Sequence, residues 1–161
     1  MKFLADAMLG RLAKWLRILG YDATYLSSSH PESLIREARA QGRVILTRNR
    51  QLASKSQGLR TLLIESDHWR EQLAQVLRDC RLRPGKSRFQ RCVVCNRRLI
   101  SLERGQVEGK VPDFVFAHFS DFFQCPQCGR IFWQGSHSSA MSRIADELLL
   151  APHTPKEERH P

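Results

Sequence analysis

The chain has 161 residues, room for one ordinary domain or two small ones, and its 42% hydrophobic and 26% charged residues are those of a soluble globular protein. No apolar run approaches the ~18 residues of a membrane span, and Asp6, Arg11, Lys14 and Arg17 break up the N-terminal stretch that might pass for a secretory leader. The expected location is therefore the cytoplasm, with no membrane partner. Lys and Arg number 26 against 16 Asp and Glu, a net charge of +10. Residues 1–87 hold 16 of the bases and only 8 of the acids. A basic first half suits a polyanion such as nucleic acid; the plain alternative is a solvated basic surface.

In chain order, residues 2–5 read as a short strand and 8–19 as a helix. Leu9, Leu12, Ala13, Leu16 and Leu19 recur at helical spacing on one face, with Arg11, Lys14 and Arg17 on the other. Gly20 is a C-terminal stop. A second strand is expected over 23–26, and Asp22 would cap the turn before it. Pro31 suits the first turn of a helix that runs to about Ala40 and is closed by Gly42. Val44-Ile45-Leu46 reads as a strand buried on both faces. A short helix starts near Asn49, a fourth strand covers 61–65, and Trp69, Leu73, Val76, Leu77 and Cys80 repeat at helical spacing. Short apolar strands alternating with amphipathic helices predict an α/β domain over residues 1–83, a parallel sheet covered by helices. Residues 84–90 read as a linker, 91–137 as a small β-rich unit, 138–150 as an amphipathic C-terminal helix, and 151–161 as a charged, Pro-rich disordered tail.

Cys92, Cys95, Cys125 and Cys128 form two C-x-x-C pairs, and an odd total of five cysteines without a leader argues against a disulfide framework. Two such turns can complete a tetrahedron around zinc, and a Cys-four site leaves no open position, so the ion would be structural. The alternative is a redox pair or free thiols. The pairs are separated by 29 residues, and the β-prone stretch Asp113–Phe119 is expected to help fill the gap as a hairpin. A unit this small draws much of its folding energy from the metal. Cys80 lies on an apolar helix face and reads as a buried thiol.

Ligands of an open parallel sheet bind at the carboxyl ends of its strands. Asp6 ends the first strand there, Asn49 follows the third, and Asp67 follows the fourth; Glu32, at the start of the second helix, can lean towards the same edge. Gathered carboxylates bind Mg²⁺ or Mn²⁺, ions that activate water in phosphodiester cleavage. Each residue also has a local explanation. Asp67 and Asn49 are natural N-caps, and Glu32 complements a helix N-terminus. Asp6 too precedes a helix. Arg11, Lys14, Arg17, Arg48 and Arg50 can hold phosphates, the first three otherwise being a solvated helix face.

The stretch Phe3-Leu4-Ala5-Asp6-Ala7-Met8-Leu9-Gly10-Arg11-Leu12-Ala13-Lys14-Trp15-Leu16-Arg17-Ile18-Leu19-Gly20-Tyr21-Asp22 closely resembles the opening motif of the Mut-seven C-terminal RNase family. Gly42-Arg43-Val44-Ile45-Leu46-Thr47-Arg48-Asn49-Arg50 is similar to a second motif of it. Cys92-x-x-Cys95-Asn96, Cys125-x-x-Cys128-Gly129 and Trp133-Gln134-Gly135-Ser136-His137 resemble its zinc ribbon. The resemblance runs over roughly residues 2–148. It implies a PIN-like domain followed by a zinc ribbon and a metal-dependent ribonuclease activity on RNA. Carried over residue by residue, Asp6 matches the first acid, Glu32 stands near the second, and Asp67 is a plausible last one. Asn49 stands where the family typically has Asp, and an amide brings neither charge nor base. The expected function is an endoribonuclease with structural Zn²⁺ and catalytic Mg²⁺ or Mn²⁺. Its rival is a non-catalytic RNA- or ribonucleoprotein-binding module with a degenerate acidic site. His137 would touch RNA or pack on the ribbon.

Overall fold

The computed structural model describes residues 1–27, 30–83, 85 and 87–150; the expected tail and the side chains of Ser136, His137, Leu149 and Leu150 lie outside the described residues. Strands β1 (Lys2–Ala5), β2 (Asp22–Tyr25), β3 (Val44–Thr47) and β4 (Thr61–Leu63) form one parallel sheet in the order β2-β1-β3-β4. Helices α1 (Gly10–Ile18), α2 (Pro31–Gln41) and α3 (Arg50–Lys55) connect them, and α4 (Trp69–Asp79) follows. Alternating side chains of β1 serve two cores. Phe3 and Ala5 join Leu9, Leu12, Leu16, Leu73 and Val76 of the α1 and α4 layer. Leu4 joins Ile45, Leu34, Ala38 and Leu52 of the α2 and α3 layer. This period-two division is what a sheet covered on both faces requires.

The five apolar residues expected on the inner face of α1 are all buried, as is Cys80, whose thiol burial pushes upward in pKa. Gly42 closes α2 in the left-handed conformation. Beyond β4, two buried glutamines tie the chain down. The Gln75 amide donates to Leu63 O at 2.9 Å while its oxygen accepts from Glu65 N, and Gln72 donates to Ser66 O at 3.0 Å. β4 therefore ends at Leu63, two residues before the expected limit.

The second unit is an antiparallel sheet of β5 (Ile100–Leu102), β6 (Phe122–Gln124) and β7 (Ile131–Trp133) in that order. Val107, Val115 and Phe122 are its buried centre. The hairpin expected over Asp113–Phe119 is instead helix α5 (Asp113–His118). Pro112 precedes it, Asp113 sits in its first turn, and Val115 is the side chain it buries. The β-prone apolar residues there form a helical turn that buries Val115, not a pleat. Helix α6 (Ser136–Leu150) returns to the first unit, where Ala145 is fully buried and Met141, Ile144 and Leu148 pack on the α1 and α4 core. The segment before the ribbon is anchored as well. Phe89 packs on that core, its N–H donates to Ile18 O at 2.8 Å, and Arg88 pairs with Asp146 at 2.6 Å.

Candidate active site and metal centre

β2 and β3 lie on opposite sides of β1, so the strand order reverses at the carboxyl ends of β1 and β3, the point where open α/β sheets bind ligands. Asp6 stands there, 7% exposed. Its Oδ1 accepts the Met8 N–H at 3.1 Å, and its Oδ2 accepts the hydroxyl of the buried Thr47 at the end of β3. The same hydroxyl accepts the Asn49 N–H at 2.9 Å. Thr47 thus couples the two strand ends, a role no motif pointed to; only its place beside the apolar run of β3 could have suggested it.

Asn49 is the N-cap of α3. Its Oδ1 accepts from Gln51 N at 2.9 Å and Leu52 N at 3.2 Å, which leaves Nδ2, a donor, as the other polar atom of the side chain. The amide oxygen is therefore taken up by the helix end, as the N-cap reading of Asn49 expects. Glu32 is exposed in the first turn of α2, after β2. Asp67 is exposed beyond β4 and lies 3.7 Å from His68 Nε2. It is not the N-cap of α4: His68 holds that place, with no side-chain cap bond. Among the described residues, Asp6, Glu32 and Asp67 do not form a group of three placed to hold an ion.

The donor set around Asp6 fits one kind of divalent ion. Each carboxylate oxygen accepts one hydrogen bond and keeps a further lone pair. Mg²⁺ characteristically binds through one or two carboxylates, retained waters and substrate phosphates. Asp6 can serve such an ion when phosphate arrives with it; a cage built wholly by protein is not present among the described residues.

The expected phosphate-binding residues divide. Arg48 is half-buried and Arg50 exposed at the same sheet edge; Arg11 and Lys14 are exposed on α1. The Arg11 guanidinium lies 4.6 Å from the Trp69 ring centroid, with Arg70 at 5.1 Å, and Trp69 stacks on Trp15 at 4.7 Å. Arg17 is a correction. It is 7% exposed, and its Nε donates to Ala23 O at 2.7 Å. Its Nη1 donates to Val93 O at 2.8 Å and Val94 O at 2.9 Å. It sits between α1, β2 and the first cysteine turn, away from solvent. Burial draws its pKa below the ordinary value, opposed by Cys92, Cys95 and Asp22; an arginine stays charged all the same. Tyr25 was also not anticipated. It is partly exposed at the end of β2, and its hydroxyl donates to Ala7 O at 2.9 Å, next to Asp6.

The cysteines form two matching turns. Cys92 N donates to Arg97 O and Asn96 N to Cys92 O; Cys125 N donates to Arg130 O and Gly129 N to Cys125 O. Asn96 and Gly129, each just after its second cysteine, have φ of 63° and 70°, the left-handed conformation that Gly and Asn tolerate. All four sulfurs lie within 4.8 Å of one another. Cys92 and Cys128 are 3.7 Å apart, close to the ~3.8 Å edge of a tetrahedron with ~2.3 Å metal–sulfur bonds. The group can hold a metal ion, consistent with zinc. The Arg130 backbone N–H draws the Cys128 thiol down to about 7, whereas loss of hydration and bonding to Cys128 push Cys95 up to about 12.

A polar network joins the first turn to β2. Asp22 pairs with Arg43 at 2.5 Å and accepts from Asn96 Nδ2 at 2.8 Å, while Ala23 N donates to Asn96 Oδ1. Asp22 is not the turn cap expected of it. Burial raises its pKa, but bonds from Arg43 and Asn96 and the charges of Arg43 and Arg91 outweigh that and hold it below the usual carboxylate value. The first cysteine turn therefore docks at the amino ends of the strands, opposite Asp6.

Among the described residues no helix is long and apolar enough to cross a membrane. No curated protein and no solved structure matches the chain. A family model does, over residues 1–145, and its span takes in the Asp6 edge, the cysteine turns and the start of α6: the chain belongs to the Mut7-C RNAse domain family.

Proposed function

We propose that the chain is a divalent-metal-dependent endoribonuclease that hydrolyses RNA phosphodiester bonds at the Asp6 edge, with zinc in the cysteine centre as a structural ion. The observation that carries this reading is the Asp6 carboxylate, buried at the strand-order reversal and oriented by Thr47. When bound, Mg²⁺ or Mn²⁺ supplies an acidified water and neutralises charge on the phosphoryl oxygens. Asp6 holds and orients. Asn49 Nδ2 donates to a phosphoryl oxygen or to water. Arg48 and Arg50 grip the backbone on one side of the edge, and Arg11 and Lys14 do so along α1. Glu32 and Asp67, both exposed, act as outer carboxylates.

The test is cleavage of mixed structured and single-stranded RNA with Mn²⁺ or Mg²⁺ by the wild type, Asp6→Ala and a chelated control. Asp6→Ala and chelation should each abolish cutting. Equal trace activity in wild type and variant would mark contamination and overturn the reading. One observation favours a second reading, a non-catalytic RNA-binding module: the Asn49 oxygen caps α3 rather than facing a ligand. Such a module would bind RNA in a salt-sensitive way, without cutting and without dependence on a divalent ion.

A further inference from the structure

A recess of about 350 Å³ opens between the start of the sheet and the first cysteine turn. Lys2, Arg83, Arg91 and Arg98 line it, and Asp22 is the one carboxylate among its lining residues. Asp22 is already paired with Arg43 at 2.5 Å and with Arg91 at 3.7 Å, and it accepts from the Asn96 amide, so Lys2, Arg83 and Arg98 are the cations it leaves unmatched. Arg91 is held in place, its Nε donating to Gly20 O at 3.2 Å and its Nη1 to Asn96 O at 2.8 Å. Lys2, Arg83 and Arg98 are exposed, and the structure gives their side chains no carboxylate and no hydrogen bond among the described residues. The cations come from β1, the end of the first unit and the ribbon, so folding has brought together like charges that are far apart in sequence. Like charges at one recess repel unless an anion joins them, and a guanidinium cluster matches the geometry of phosphate oxygens. The volume falls within the range of small-ligand sites.

We propose that this recess is a phosphate-binding site, taking a phosphoryl group of RNA or of a free nucleotide. It lies at the amino ends of the strands, about 13 Å from the Asp6 edge along strands of four residues. It therefore stands independently of the nuclease reading, and a variant here leaves Asp6 untouched.

The test uses the full zinc-loaded chain without other divalent ions. The probes are inorganic phosphate, adenosine monophosphate, and one oligoribonucleotide with either a 5′-phosphate or a 5′-hydroxyl. Arg83→Ala/Arg98→Ala removes two exposed cations, and Arg36→Ala/Arg39→Ala on α2 is the matched control for lost charge. At least one probe should bind saturably, and the recess variant should weaken it about tenfold or more, the control less than twofold. For RNA, the slope of log affinity on log salt should also fall by about 1.4 in the recess variant. A preference for the 5′-phosphate identifies a strand end, equal binding of both oligonucleotides an internal phosphate, and binding of the small probes alone a free nucleotide; each supports the site. No saturable binding of any probe, or equal loss in the two variants, overturns it. A circular dichroism melt like that of the wild type separates these outcomes from misfolding.

Discussion

Arg17, in the first helix, holds the carbonyl of Val93, between two of the metal-type cysteines, at 2.8 Å. A guanidinium expected to hold phosphates, or else to lie on a solvated helix face, is instead the bolt between the two units. Its three hydrogen bonds all go to backbone carbonyls, of Ala23, Val93 and Val94, so they act whatever side chains flank them. Arg17→Ala should destabilise the chain by about 2–3 kcal/mol, because the buried Ala23 carbonyl and the part-buried carbonyls of Val93 and Val94 lose a charged donor. Chemical denaturation of the zinc-loaded protein measures this.

Metal removal should reach beyond the ribbon for the same reason. With the cysteine turns released, Arg17, Asn96 and Asp22 lose their geometry together. Chelation should lower the melting temperature by about 10 °C or more. Amides of β2, in the first unit, should lose hydrogen-exchange protection along with those of the ribbon. Loss confined to residues 91–135 would show the units to be uncoupled.

Asp22 makes stability depend on acid. Its folded pKa lies below its unfolded one, so its contribution is complete above the unfolded value near ~3.9 and disappears as pH falls through the lower folded value. Asp22→Ala should cost about 2–3 kcal/mol at neutral pH, somewhat less than the loss of one partner from a fully buried pair. The difference between variant and wild type should shrink below pH ~4. A gap unchanged between pH 7 and pH 3 would be incompatible with this assignment.

Asn49→Asp should keep the α3 cap, since the two residues cap equally well, while placing a second oxygen where Nδ2 now stands. Mn²⁺ affinity should rise about tenfold, with cleavage rising alongside it. Thr47→Val removes the hydroxyl that Asp6 and Asn49 share and should cost about 1–3 kcal/mol. Its cleavage should fall less than in Asp6→Ala. Metal titration and single-turnover cleavage of both variants check these expectations.

Gly20 has φ of 91°, and a Cβ there would lie 2.2 Å from Ser87 O. Gly20→Ala should cost about 2–3 kcal/mol by forcing the segment before the ribbon away from α1. A thermal melt within 2 °C of wild type would contradict that packing.

Strands and helices of the first unit were legible because their periodicities are local. The inner face of α1, the doubly buried β3 and each C-x-x-C turn follow from spacing within a few residues; the two turns pair across 29 residues because four thiolates complete one tetrahedron. Asp113–Phe119 is β-prone by composition, but a mostly apolar stretch of seven residues suits a short helix as well as a strand, and burial of Val115 against the ribbon core decided between them. The acids show the same boundary. Asp6 was identifiable from its place after a strand. The cap at Asn49 was legible too, as the start of a short helix; that Glu32 and Asp67 remain exposed depends on loop paths that no spacing records.

By itself the sequence determined the α/β alternation, the four-cysteine centre, the basic first half and the Asp6 edge, all properties of short windows or of composition. Only the tertiary structure decided which basic residues are free. Arg17 went to three backbone carbonyls, Arg43 to Asp22, and Lys2, Arg83 and Arg98 to a shared recess. The physical reason is that a charge's role is set by the dielectric and the partners around it, and those partners arrive from elements up to 77 residues away.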